Sequence, residues 1–395
     1  MAKLGECFSV IRNGASIRQT DGAGGFPITR IETIADKTIN REKFGYAGIY
    51  DLAQYRDYIL QDGDILMSHI NSEKHLGKIA LYSKQDDEQI IHGMNLLMLR
   101  ADTQKVIPEY AKYYFESQKF LRQIGRITKK SVNQASFTVT ALKELEIPLA
   151  SIIVQRDISK KLKKVDWLVS LRKQQLAKLD ELVKARFVEM FGNPSNNSLG
   201  FPYEPLSNCL LSIENGKSFV CSNDMRQEEN PAILKLSAVT YGVYQQDENK
   251  AILDSSMFVK SAEVHKGDLL FTRKNTPELV GMCAYVNDTA PNLMMPDLIF
   301  RLNTNEKINK IFLWKLINHE FFRGKIQNIA TGSAKSMSNI SKERLEKLAI
   351  ILPPLHLQND FAALVERVDQ QKQTIQQSLE KLELLKKALM QEYFG

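Results

Sequence analysis

No apolar run in the 395-residue sequence approaches the roughly 20 residues that a membrane-spanning helix needs. The opening MAKLGECFSVIRNG also lacks the apolar stretch of a signal peptide, so a cytoplasmic protein with no membrane association is expected. Cysteine is scarce: Cys7, Cys209, Cys221 and Cys283 make no C-x-x-C pair and no Cys/His cluster with zinc spacing. They read as reduced core thiols. Catalytic signatures are missing as well. There is no P-loop, no Asn/Asp-Pro-Pro-aromatic signature of an amino-methyltransferase and no H-E-x-x-H. Pro296-Asp297 could open a nuclease carboxylate motif, but no Asp/Glu-x-Lys follows at a useful distance. Gly22-Ala23-Gly24-Gly25 precedes no helical pattern and reads as a loop. Six histidines are scattered, and neighbouring His69 and His75 lack a carboxylate or thiol to complete a metal site. A non-enzyme with no metal and no cofactor of its own is expected.

What is present describes an ordered protein: 43% hydrophobic and 25% charged residues. The chain is too long for one ordinary core, so two or more domains are expected. A net charge of +7 favours a polyanionic partner.

Residues 155–192 carry apolar side chains at Ile158, Leu162, Val165, Val169, Leu176, Leu179, Val183 and Met190, in steps of four and three that skip Arg172 and Arg186. That is the a/d seam of a coiled coil over about four heptads. No proline interrupts it, and Gly192 stands where a left-handed cap would end a helix. A rod on the order of 55 Å follows from about 1.5 Å per residue. Alone it would leave its apolar stripe wet, so it needs a partner. Residues 358–395 supply one, with Phe361, Val365, Val368, Ile375, Leu379, Leu382 and Leu389 on a seam. Both stretches open with Gln and close with Phe-Gly. The first is basic at Lys160, Lys161, Lys163 and Lys164, and the second carries Asp360, Glu366, Asp369, Glu380 and Glu383, which predicts charge pairing between them.

The rods belong to a larger duplication. Ile11-Arg12-Asn13-Gly14 returns as Ile213-Glu214-Asn215-Gly216, and Cys7 returns as Cys209, which makes that thiol a packing position. Ile28 and Arg30 match Ile233 and Lys235; Gly63-Asp64-Ile65-Leu66 matches Gly267-Asp268-Leu269-Leu270; Gly77 matches Gly281. Glu144-Leu145-Glu146-Ile147-Pro148-Leu149 answers Lys347-Leu348-Ala349-Ile350-Ile351-Leu352-Pro353 just before each rod. The chain therefore reads as a first globular part, residues 1–150, a long helix, 151–192, a second globular part, 193–353, and a second long helix, 354–395. Each globular part is mixed α/β. Short apolar runs (Ile65-Leu66-Met67, Lys78 to Tyr82, Asn95 to Leu99) suit strands. Residues 108–125, with Tyr110, Tyr114, Leu121 and Ile124 on one face, and residues 310–326, with Ile311, Trp314, Ile317 and Phe321, each suggest one helix with core aromatics. No linker is long enough to carry the chain back along a rod, so the rods should run antiparallel, separate the globular parts and relate them by a pseudo-two-fold axis.

Donor-rich polar loops recur at corresponding places. After the Gly-Asp turns come Ser68, His69, Asn71 and Lys74 in the first copy and Thr272, Arg273, Lys274 and Asn275 in the second. Before the exits come Lys129, Lys130, Ser131, Asn133 and Gln134, answered by Lys335 and Ser336. Lys, Arg, Ser and Thr suit phosphates, while Asn, Gln and Arg pair bidentately with purine edges in the major groove. With Arg30 and Lys235 these are the candidate DNA-binding residues.

Two such domains, each followed by a long helix running from Ile147-Pro148-Leu149 and Gln155, or Leu352-Pro353-Pro354-Leu355 and Gln358, to a closing Phe-Gly, resemble the specificity (S) subunit of a Type I restriction–modification system. The resemblance covers the whole chain. Leu149-Ala150-Ser151 departs from it where a second Pro is usual. The family implies a non-catalytic subunit whose two target-recognition domains each read half of a bipartite double-stranded DNA sequence, with the rods fixing the unread gap. It also implies two methyltransferase subunits, which flip out adenines and use S-adenosylmethionine, and restriction subunits that use ATP and Mg for translocation. The reading from another class is a two-domain DNA-binding regulator or structural bridge without enzyme partners.

Overall fold

A computed structural model of the chain describes residues 1–20, 24–34, 37–132, 134–332 and 337–395. It forms two compact units, one of Met1–Lys173 with Gln377–Gly395 and one of Gln174–Gln376. Each is a globular α/β body together with one half of each long helix.

In the first unit Phe8–Asn13, Leu96–Ala101, Ile65–Ser68 and Ile79–Leu81 form, in that order, an antiparallel sheet. The second unit repeats it with Leu210–Asn215, Ile299–Thr304, Leu269–Thr272 and Cys283–Tyr285. Even the register shift recurs, between Phe8 and Val10 and between Leu210 and Ser212. The third strand is buried on both faces, and period-two alternation divides its side chains. Ile65 and Met67 join Tyr110, Tyr114 and Phe115, while Leu66 joins Ile34, Phe44 and Tyr82. Leu269 and Phe271 separate from Leu270 in the same way. The turn into this strand uses Gly63 or Gly267, each at φ +87°, a conformation that strains any side chain. The next residue is a carboxylate, fully buried at Asp64 and half-buried at Asp268. Asp64 accepts from Arg100 Nε at 2.8 Å and Nη2 at 2.7 Å, and Asp268 lies 3.0 Å from Arg301 Nε.

The expected single helices over 108–125 and 310–326 are each two. Pro108–Glu116 and Gln118–Ile127 meet at Ser117, and Lys310–Asn318 and Glu320–Asn328 meet at His319. Ser117 is extended, and its hydroxyl accepts from the Phe120 N–H at 3.2 Å; His319 Nδ1 accepts from the Phe321 N–H at 3.3 Å. Each side chain caps a new helix, which turns the chain sharply. Tyr110, Tyr114, Ile124, Ile311, Trp314 and Ile317 are core as expected, but Leu121 and Phe321 are exposed on the turned second helices.

The long helices span Ile152–Phe191 and Leu355–Phe394, 40 residues each. Both start three residues ahead of the glutamine that the pattern marks. Ser151 caps the first, its hydroxyl accepting from the Val154 N–H at 3.4 Å, and Pro354 immediately precedes the second, its carbonyl accepting from the Gln358 N–H at 3.3 Å. Within each unit the helix halves run antiparallel. Asp166 meets Lys386 at 2.6 Å and Lys173 meets Glu383 at 3.4 Å in the first; Asp180 meets Lys372 at 2.6 Å in the second. Two of these three pairs take their acid from the first helix, against the expected division of charge, and Lys161 pairs with Asp157 on its own helix at 2.7 Å. Ile158, Leu162, Val165, Val183, Phe361, Val365, Val368 and Leu379 are buried on the seam. Val169, Leu176, Ile375 and Leu382 are half-buried, because one partner helix covers only one side. The Phe-Gly ends are plugs. Phe394 lies 5.2 Å from the Tyr110 ring in the first unit, and Phe191 lies 4.8 Å from Phe312 in the second. Cys7, Cys209 and Cys283 are buried free thiols and Cys221 is half-buried. Among the described residues no helix is long and apolar enough to cross a membrane.

Candidate nucleic-acid interface

The two polar loops that the sequence shows far apart form one small sheet. Ile70–Asn71 pairs antiparallel with Ala135–Ser136, which pairs in turn with Lys129–Lys130. The hairpin closes where the Ser131 N–H and hydroxyl both donate to the Gln134 carbonyl, at 2.8 and 2.9 Å. The second unit builds its equivalent from Lys274–Asn275 and Ser338–Asn339, with Thr331 bridged to Asn339 on the far side. Ile70–Asn71 and Lys274–Asn275 directly follow the third strand of each main sheet, so a buried core element aims each small sheet.

Placement divides the candidates by exposure. Lys74, Lys129, Lys130, Ser131 and Gln134 are exposed, and Asn71, Arg273 and Lys274 are half-buried. Ser68, His69, Thr272 and Asn275 are buried, with no more than 7% of their surface accessible, so they build the sheet rather than present donors from it. Thr272 Oγ1 accepts from the Met282 N–H at 2.9 Å, and Asn275 Nδ2 donates to Thr240 Oγ1 at 3.1 Å. Asn71 and Asn275 play one part in both copies: each side-chain oxygen accepts from the next backbone N–H, at 2.7 Å from Ser72 and 2.9 Å from Thr276. His69 packs its ring 6.3 Å from Phe137, and burial holds its pKa below the usual histidine range. It is neutral at neutral pH and adds no charge to the surface. Arg30 and Lys235 are not part of the small sheets; Arg30 Nε donates to Gln19 Oε1, and Lys235 lies 3.9 Å from Glu248. Asn133, Lys335 and Ser336, like Gly22 and Ala23 of the glycine-rich stretch, lie outside the described residues.

Reading for polar donors missed the apolar member of each loop. Val132 is fully exposed beside Ser131, and Met337 is exposed beside Ser338. An apolar residue inside the polar run of each copy was the available signal. Such a side chain can contact a thymine methyl or wedge a base step. Arg273 was found, but its setting was not: its guanidinium lies 5.2 Å from the Phe300 ring centroid and its Nε donates to Asn339 Oδ1 at 3.4 Å. A stacked guanidinium keeps its fork in plane for a bidentate acceptor.

Lys130 pairs with Glu73 at 2.7 Å, both side chains 66% exposed, so a phosphate can displace that carboxylate at little cost. Lys129→Ala should weaken DNA binding evenly across sequences and lower the salt slope by about one, the signature of a phosphate contact. Arg273→Ala should instead cost affinity at one base position. Titrations at several salt concentrations against single-base variants check both, and a base-specific loss for Lys129→Ala would reassign it.

The chain resembles known proteins in sequence and in overall fold. A family model for the Type I restriction modification DNA specificity domain matches residues 1–181 and again 210–384. Over 406 residues the chain is 30% identical to the putative type I restriction enzyme MjaX specificity subunit of Methanocaldococcus jannaschii, an alignment covering 98% of this chain and 91% of that one. The type I restriction enzyme EcoEI specificity subunit of Escherichia coli is 26% identical over 260 residues, 61% of this chain and 43% of that one. Among solved structures, the Type-I restriction-modification system S subunit from M. genitalium has the same fold, with a TM-score of 0.62 at 12% identity over 100% of this chain and 95% of that one. With the domain matched twice, on segments that each contain a main sheet, a small polar sheet and most of a long helix, the chain belongs to the Type I restriction–modification DNA specificity family.

Proposed function

We propose that the chain is the DNA sequence-specificity subunit of a Type I restriction–modification complex. Each globular domain reads one half of a bipartite target, and the long helices set the gap and dock methyltransferase subunits. The observation that carries this reading is the duplication in step of the small polar sheet, in a chain of this family. Two short readouts are each weak. Joined by a rigid spacer they bind as one long site, because the second contact becomes intramolecular and holds only where geometry permits both. Catalysis is assigned to partners: S-adenosylmethionine to two methyltransferase subunits, ATP and Mg to restriction subunits, with this chain contributing recognition alone.

The test is domain exchange in a host carrying the intact system, read by methylome sequencing. Replacing residues 1–150 by the first domain of another family member should change one half of the methylated motif and leave the other half and the gap intact. A change in both halves would overturn the modular reading. Co-purification distinguishes the regulator or bridge reading, since only the specificity subunit requires stoichiometric methyltransferase. The purified chain alone should transfer no methyl group to DNA.

A further inference from the structure

Gln155 and Gln358 are completely buried, and the candidate interface uses neither. The Gln155 amide oxygen accepts from the Ile107 N–H at 2.9 Å, and its NH2 group donates to the carbonyls of Lys105 and Ala150, both at 2.9 Å. Gln358 repeats the set: its oxygen accepts from the Asn309 N–H at 2.9 Å, and its NH2 group donates to Lys307 at 3.3 Å and Pro353 at 2.7 Å. On one amide in each unit, three segments meet. They are the loop leading into the aromatic helix, the exit from the globular part and the first turns of the long helix.

A primary amide suits this position. Toward the loop it presents one acceptor and one donor, matching a carbonyl and the N–H two residues on, as a neighbouring strand would. Its second N–H remains for the exit carbonyl. The amide is planar and out of water, so the three partners fix its orientation, and losing any of them strands a buried polar group. The same geometry explains why Ala150 can stand where the second copy has Pro353. The contact uses only the carbonyl, which both residues possess, and Ser151 caps the helix. Hydrophobic contacts at the joint, such as Phe394 on Tyr110 and Phe191 on Phe312, hold the parts together but are non-directional. The amide supplies the direction.

We infer that Gln155 and Gln358 are positioning residues that lock each recognition domain to its long helix at one angle and so sharpen discrimination between gap lengths in the DNA target. The inference rests on the two-half-site reading above. A domain free to pivot on its helix would still recognise its half-site but would tolerate a gap one base pair too long or short. Base specificity and gap specificity should therefore separate.

The experiment uses the full chain assembled with its methyltransferase subunits and duplexes whose gap varies one base pair at a time. Gln155→Met keeps length and volume but removes all three hydrogen bonds. The affinity penalty for a one-base-pair error in the gap should fall by about tenfold, the order of one net buried hydrogen bond. The penalty for a wrong base within a half-site should not move, whereas general loosening of the domain would erode both. Gln358→Met should do the same from the other unit. If neither variant folds, hydrogen–deuterium exchange on the wild-type complex decides. The amides of Ile107 and Asn309 should exchange as slowly as those of the adjoining long helices, and fast exchange would overturn the lock. A wild-type complex with no gap preference overturns the two-half-site reading and this role with it. A wild-type preference that Gln155→Met and Gln358→Met leave equally sharp overturns this role alone.

Discussion

Deleting one heptad from the middle of each long helix should shorten the preferred gap between half-sites by about three base pairs. Seven residues restore the a/d seam, so the shortened helices can pair as before. They lose about 10 Å at roughly 1.5 Å per residue, and the DNA duplex rises about 3.4 Å per base pair. The fold should tolerate the deletion. In the middle of the seam Val169, Leu176, Ile375 and Leu382 are only half-buried, with Leu379 the buried exception, while the aromatic anchors lie at the ends, at Phe187, Phe191, Phe361 and Phe394. Three base pairs also turn the groove by more than a quarter of the roughly 10.5-base-pair helical repeat, so affinity at the new optimum should be lower than wild type. Binding to duplexes with graded gaps, with methyltransferase present, gives the answer. A folded double-deletion protein whose optimum has not moved would show that the helices do not measure the DNA.

Asp64→Ala should be among the most damaging single substitutions in the first domain. Asp64 is fully buried, accepts two hydrogen bonds from Arg100 and takes the Gln61 N–H at 2.7 Å. Removing it leaves a guanidinium whose side chain is only 23% exposed without its counter-charge, a loss of about 3–5 kcal/mol for a broken buried pair. That is a large fraction of a domain's stability, typically about 5–15 kcal/mol. The strand that begins at Ile65 aims the small sheet at Asn71, so recognition of one half-site should fail. The second domain, with its own Asp268 and Arg301, should keep recognising the other half. Chemical denaturation of the intact chain should show an early transition for one unit only. The double variant Asp64→Leu/Arg100→Met should recover much of the stability, because an apolar pair has no charge to strand. A single late transition in Asp64→Ala would refute the account.

Much of the molecule is legible in one dimension. A seam that repeats every three or four residues must face something apolar, so the two rods, their pairing and the Gly192 stop follow from spacing alone. Two copies in register must build similar units, which the matched strand orders and the shared φ of +87° at Gly63 and Gly267 bear out. Local chemistry without periodicity was harder to see. The breaks at Ser117 and His319 turn on whether a side chain caps a new helix or the old one continues. That choice is settled by what the second helix packs against. The charge pattern of the rods misled for a related reason: which ends of two seams face each other decides that Asp166 meets Lys386 and Asp180 meets Lys372.

The candidate site shows the division most sharply. Its residue types, its duplication and its position after the Gly-Asp turns were set by the order of amino acids. Tertiary structure alone decided that Ile70–Asn71 should pair with Ala135–Ser136, and Lys274–Asn275 with Ser338–Asn339, because strands of two residues carry no pattern that names a distant partner. It also decided that Ser68, His69, Thr272 and Asn275 face inward while Lys129 and Lys130 face water. Burial depends on the neighbours that a fold assembles, and a hydroxyl or amide written in the sequence is equally able to satisfy a core carbonyl or a phosphate.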